Sequence, residues 1–130
     1  KLKIFVFICL ATSFGDFTGN ILKELLSDTR PCFGYSEIFI QEGLIEKECG
    51  SQTTGMPSNH AINFFLFTTL LCLTVKNKFI SSIYIISSVF VALSRVFLIK
   101  HLLSQVIIGA FIGIFLGILF YNLFYKWIKT

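Results

Sequence analysis

Four apolar stretches, residues 4–22, 57–75, 79–99 and 102–125, each come close to the roughly 20 residues that a helix needs to cross a hydrocarbon core. None of them alternates with a period of two. Lipid leaves the backbone only helices or closed barrels, because no water is present to satisfy its polar groups. The expected fold class is therefore all-α: a multi-pass transmembrane helical bundle, one domain over residues 1–130. Composition supports this, with 55% of residues hydrophobic and 14% charged. An ordinary soluble domain carries about 45–50% and 25%.

The charges are segregated. Lys1 and Lys3 precede the first stretch, Lys76 and Lys78 lie between the second and third, and Lys126 and Lys129 follow the fourth. With four spans these places share one side, which then holds lysines and no acid. Asp16 lies inside the first span, and Glu24, Asp28, Glu37, Glu42, Glu46 and Glu48 gather toward the other side. The positive-inside rule puts the lysine side in the cytoplasm and turns the 31–56 loop outward, to periplasm, exterior or lumen. A net charge of +4 distributed this way does not call for nucleic acid.

Three short motifs fall at the outward ends of the spans. The first span runs into Lys23-x6-Arg30-Pro31, the second starts at Pro57-Ser58-Asn59-His60, and Ser94-Arg95-x5-His101-x3-Gln105 joins the third to the fourth. Ionisable residues near membrane spans are costly and mark function. A phosphoryl group in flight spreads charge over three oxygens, which positioned cations stabilise. Lys23, Arg30 and Arg95 can hold those oxygens, the arginines by forked donation. Pro57 suits a first helical turn, which would aim the N–H groups near Ser58, Asn59 and His60 at the anion. One histidine can attack phosphorus while the other protonates the leaving oxygen. His101 and Gln105, four apart, would share a helix face, so Gln105 is expected to orient His101. On that basis Gln105→Asp should keep activity. No metal-ligand spacing occurs, and neither a metal nor another cofactor is expected.

At these residues the chain resembles the type-2 phosphatidic acid phosphatase superfamily, whose signature is K-x6-R-P, P-S-G-H and S-R-x5-H-x3-D. The resemblance runs from about Asn20 to Gly113. It implies His101 as nucleophile, His60 as general acid, and a six-span bundle. Because the chain opens with Lys1 inside an apolar run, two further spans are expected before it. Asn59 stands where the signature has Gly, and Gln105 where it has Asp. The Gln form is similar to dolichyl diphosphatases and glucose-6-phosphatases, and Arg30-Pro31-Cys32, Gly55-Met56-Pro57-Ser58 and Ser104-Gln105-Val106 look nearest to the former. The resemblance thus implies an integral-membrane phosphatase acting on a lipid-linked phosphate or diphosphate, polyprenyl diphosphate first, or on a small organic phosphate.

Other features have plainer readings. Gly109, Gly113 and Gly117 form a stripe for close helix packing. Asp16, Asn20 and Lys23 share a face suited to polar contact between helices. Cys32 and Cys49 lie in the outward loop, where oxidation is permitted and their pairing stays open; Cys9 and Cys72 read as packing residues. The rival function is a catalytically silent membrane protein on the same scaffold, binding phosphorylated lipid or serving in an assembly. A vanadate-dependent haloperoxidase is disfavoured because such proteins are soluble.

Overall fold

The computed structural model describes residues 2–50 and 54–129. It is 79% helix, with no strand among the described residues. Six helices follow in order: α1 (Leu2–Leu26), α2 (Pro31–Gly34), α3 (Ser36–Gln41), α4 (Asn59–Val75), α5 (Lys78–Phe97) and α6 (Leu103–Lys129). The two short helices fall within the 31–56 segment.

Three helices, α1, α5 and α6, are long and apolar enough to cross a membrane. The second stretch forms the shorter apolar helix α4. Ser58 caps α4 in extended conformation, its side chain accepting from Ala61 N, so helix begins only at Asn59. The 17 residues left rise about 26 Å, at the lower end of the range of about 17–25 residues for a span.

That shorter helix is the centre of the bundle. Ile62, Leu66 and Leu70 of α4 are fully buried, packed with Phe7, Ile8 and Ala11 of α1 and Leu116 of α6. The expected glycine stripe makes the α4–α6 contact close. A Cβ added at Gly109 would stand 2.7 Å from the Ser58 carbonyl oxygen, and one at Gly117 would stand 2.7 Å from Thr69 Cβ. Small residues let backbones approach where lipid supplies no hydrophobic drive for association. On the other side, Thr68 of α4 and Ser88 of α5 share a buried hydrogen bond of 2.7 Å. Outward faces stay greasy: Phe5, Phe79, Phe97, Phe111 and Phe115 are all strongly exposed, as lipid-facing side chains are.

The turns are built locally. Lys76 ends α4 in the left-handed region at φ 53°, and Asn77 starts α5 by accepting from Ile80 N at 3.1 Å. Pro31 begins α2 and holds Arg30 extended at φ −80°, ψ 146°. Cys32 and Cys49 form a disulfide, with Cα atoms 5.4 Å apart. Cys72 is half-buried, whereas Cys9 is exposed on the outer face of α1 and packs no core.

Candidate active site

At one end of the bundle a cleft of about 230 Å³ opens between the C-terminal half of α1, the start of α4 and the α5–α6 connection. Its walls are Asp16, Lys23, Arg30, Asn59, His60, Arg95, Lys100 and His101. All three sequence motifs thus reach one cavity, with four permanent or near-permanent cations set against one carboxylate. Lys100, next to His101 in the third motif, was missed as a candidate. Its position at the same helix end as Arg95 was the available signal.

The histidines differ. His101 is buried, 3% exposed, while His60 is open to solvent. His101 Nδ1 lies 2.8 Å from the Gly55 carbonyl oxygen. A carbonyl can only accept, so Nδ1 carries the proton and donates it, and Nε2 keeps a free lone pair. Burial is the main force that pushes the His101 pKa down to about 4. The charges of Arg30 and Lys23 add to it, against the opposing hydrogen bonds of Gly55 and Gln105. The ring is therefore neutral at neutral pH.

Gln105 interacts with His101 through a side-chain hydrogen bond, but not by way of a shared helix face. His101 lies ahead of α6, which starts at Leu103, so the four-residue spacing does not put the two on one helix face. Gln105 is fully buried and away from the cleft wall. Its oxygen accepts from Leu102 N at 2.9 Å. Its amide donates to Asp28 Oδ2 at 2.7 Å and to the Thr29 carbonyl at 2.8 Å. Asp28 in turn accepts from Gly55 N at 2.7 Å through its own carbonyl. Gln105 and Asp28 thus tie the first and third motifs to the Gly55 carbonyl that orients His101. A Cβ at Gly55 would run into the Thr29 carbonyl, so this approach requires glycine.

Ser58 is also corrected as a phosphate-binding residue. It is fully buried, its N–H donates to the Gln105 carbonyl at 3.2 Å, and its side chain caps Ala61. Pro57, likewise, precedes the cap and does not open the first turn. Asn59 does line the cleft, but its amide donates to Asp16 Oδ1 at 3.0 Å and Asn20 Oδ1 at 2.8 Å, tying α4 to α1. Asn63 joins the same carboxylate at 3.2 Å. The α1 face of Asp16 and Asn20 therefore serves the interhelical contact expected of it. Ser94 donates to Val91 O at 2.7 Å and does not brace Arg95.

The cations are poised for an anion. Arg30 Nε donates to the Thr54 carbonyl at 3.2 Å and to Thr54 Oγ1 at 3.1 Å, which fixes the guanidinium plane. Burial first, then the charge of Arg95, lowers the Arg30 pKa from its ordinary value; an arginine remains charged regardless. Arg95 Nε is buried without a partner among the described residues. A buried donor left unpaired is costly, and a bound oxyanion would meet that need.

Three helices long and apolar enough to cross a membrane, with cations and two histidines converging at one end, suit an integral membrane protein whose cleft takes an anion. The PAP2 superfamily profile matches residues 4–129, and the chain belongs to that superfamily. No curated protein and no solved structure matches it. At the general level the family makes this chain a phosphatase, with phosphate esters, lipid-linked ones among them, as its substrates.

Proposed function

We propose that this chain is a multi-pass membrane phosphatase that hydrolyses a lipid-linked phosphate or diphosphate, polyprenyl diphosphate foremost, through a phosphohistidine intermediate and without a metal. The observation that carries it is the cleft itself: Lys23, Arg30, Arg95 and Lys100 converge there around His101 and His60, and a buried Arg95 donor stands unpaired among the described residues.

In this reading Lys23, Arg30 and Arg95 hold the phosphoryl oxygens, and the cleft amides of Asn59 and His60 supply first-turn donors. His101 Nε2 attacks phosphorus. The bond from phosphorus to the leaving oxygen breaks, and that oxygen takes its electron pair together with a proton from His60. Water, deprotonated by His60, then attacks the phosphohistidine; inorganic phosphate leaves and Nε2 recovers its lone pair. Gln105 acts through its hydrogen bond to His101 and by holding the chain that orients that ring. The preference for a polyprenyl diphosphate rests on the Arg30-Pro31-Cys32, Gly55-Met56-Pro57-Ser58 and Ser104-Gln105-Val106 wording.

Phosphate release by the protein in lipid, measured over polyprenyl diphosphate, phosphatidate, phosphatidylglycerophosphate, lipid A and glucose 6-phosphate, is expected to be fastest with the polyprenyl substrate. Hydrolysis of phosphatidate alone would remove the diphosphate assignment and leave the phosphatase. Absence of release from every substrate would favour the silent scaffold.

The proposed active-site face is extracytoplasmic. A membrane-impermeant thiol reagent applied to intact cells should label a cysteine introduced at Glu42, in the segment after α3, and spare one introduced at Asn77, in the α4–α5 turn. The reverse pattern would put the cleft in the cytoplasm.

A further inference from the structure

At the opposite end of the bundle lies a second polar cavity, of about 320 Å³. Ile4 from the start of α1, Leu73 and Lys76 from the end of α4, and Tyr121, Tyr125 and Lys129 from the end of α6 are among its walls. The volume falls at the lower end of the range for ligand pockets, about 300–1,000 Å³. Two ammonium groups reach it from different helices. Lys129 Nζ stands 5.6 Å above the Tyr125 ring, which holds that charge at the cavity, and Lys76 enters from a left-handed cap. Lys3 and Lys78 belong to the same end of the helices. No described acid does: Asp16 lines the other cleft, and the remaining carboxylates follow it in the chain between Glu24 and Glu48.

Two like charges converging on a cavity without a carboxylate call for an anion. The rest of the wall says which kind. Ile4 and Leu73 give it an apolar side continuous with the lipid-facing helices, and the Tyr121 and Tyr125 rings, 4.9 Å apart, border it on α6. A free phosphate would leave that apolar wall unused. A lipid headgroup uses both parts, its phosphate at the lysines and its first acyl carbons along the wall. Basic pockets between helices at a membrane face bind anionic headgroups in this manner. We infer that the cavity between the ends of α1, α4 and α6 binds the phosphate headgroup of an anionic phospholipid, in the leaflet opposite the reaction cleft. Such a lipid would clamp together the far ends of α1, α4 and α6.

The test uses the protein in nanodiscs of phosphatidylcholine containing a minor fraction of phosphatidylglycerol, with retained lipids counted by native mass spectrometry. The wild type is expected to retain phosphatidylglycerol in preference to phosphatidylcholine. The double variant K76Q/K129Q should lose that preference on the order of thirtyfold. K76R/K129R should keep it, so an effect of misfolding is separated from an effect of charge. K3Q/K78Q makes the same change of net charge outside the cavity and should cost only a few-fold. Equal losses from K76Q/K129Q and K3Q/K78Q would overturn the site in favour of diffuse surface charge. Release of the retained lipid by millimolar inorganic phosphate from the wild type would overturn the lipid as ligand, leaving a soluble phosphate. None of these readouts depends on hydrolysis, so they stand apart from the proposed reaction.

Discussion

Replacing His101 with alanine is expected to reduce phosphate release by roughly 10⁴-fold or more, since in the proposed mechanism this ring carries the phosphoryl intermediate. His60→Ala should behave differently. With an alkyl phosphate the loss should be on the order of 10²–10⁴-fold, the usual range for a general acid. With an aryl phosphate, whose leaving oxygen departs without a proton, the first step should survive and the loss shrink. Rapid quenching with labelled substrate should trap phosphate on His101 in the wild type, and in greater amount in the His60→Ala variant, which has lost the base for the second step. The pH profile gives an independent reading. The His101 pKa is pushed down to about 4, and attack needs the neutral ring. Activity limited by this group is therefore present above that value and is lost as the pH falls through it. Two substrates of different acidity separate this limb from the ionisation of the phosphate itself. Full activity in the His101→Ala variant, or label trapped elsewhere, would end the phosphohistidine mechanism.

How much of this was legible in the sequence depends on the kind of information each feature carries. Hydropathy located four helices within a few residues, because burial in lipid is a property of long runs. It could not show that α4 starts only at Asn59: Ser58 turned into a cap, and capping is decided by one side-chain contact. The motifs identified six of the cleft's eight wall residues as candidates or polar contacts of interest along with Asp16, since cations inside apolar surroundings are conspicuous. Lys100 was overlooked for want of a motif position. Spacing failed where the chain is not helical. Residues 101 and 105 share a face only on a helix, and His101 precedes one. Its further partner, the Gly55 carbonyl, is a backbone atom 46 residues away, which no side-chain pattern could announce. Asp28 sat unremarked among the six variable positions between Lys23 and Arg30. The Cys32–Cys49 pair, open from sequence, was decided by the path of the segment between them.

Gln105 is where structure changes the expected outcome most. Its amide meets Asp28 and Thr29, and its oxygen meets Leu102 N. Gln105→Ala would strip partners from three groups at once. These hydrogen bonds are part-buried and contribute about 0.5–1.5 kcal/mol each, so a loss of about 2–5 kcal/mol is expected, seen as a lower Tm in detergent. Because the same residue braces the Asp28–Arg30 turn and the Gly55 carbonyl, KM should rise together with the fall in kcat. A residue acting on the His101 ring alone would lower kcat and leave KM and Tm in place. The sequence alone favoured Gln105→Asp as a tolerated change, toward the family signature. The Asp28 carboxylate reverses that expectation: an aspartate at 105 would set a second carboxylate against it where an amide donor now stands, so Gln105→Asp should lose activity. Asp28→Asn made on top of it should restore a donor–acceptor pair and part of the activity, whereas Asp28→Asn alone should be mild, its amide oxygen still able to accept. Such rescue is the signature of two residues in contact, whose effects are not additive. If Gln105→Asp is fully active without the second change, the Asp28 contact does not govern position 105, and this explanation of the departure from the signature fails.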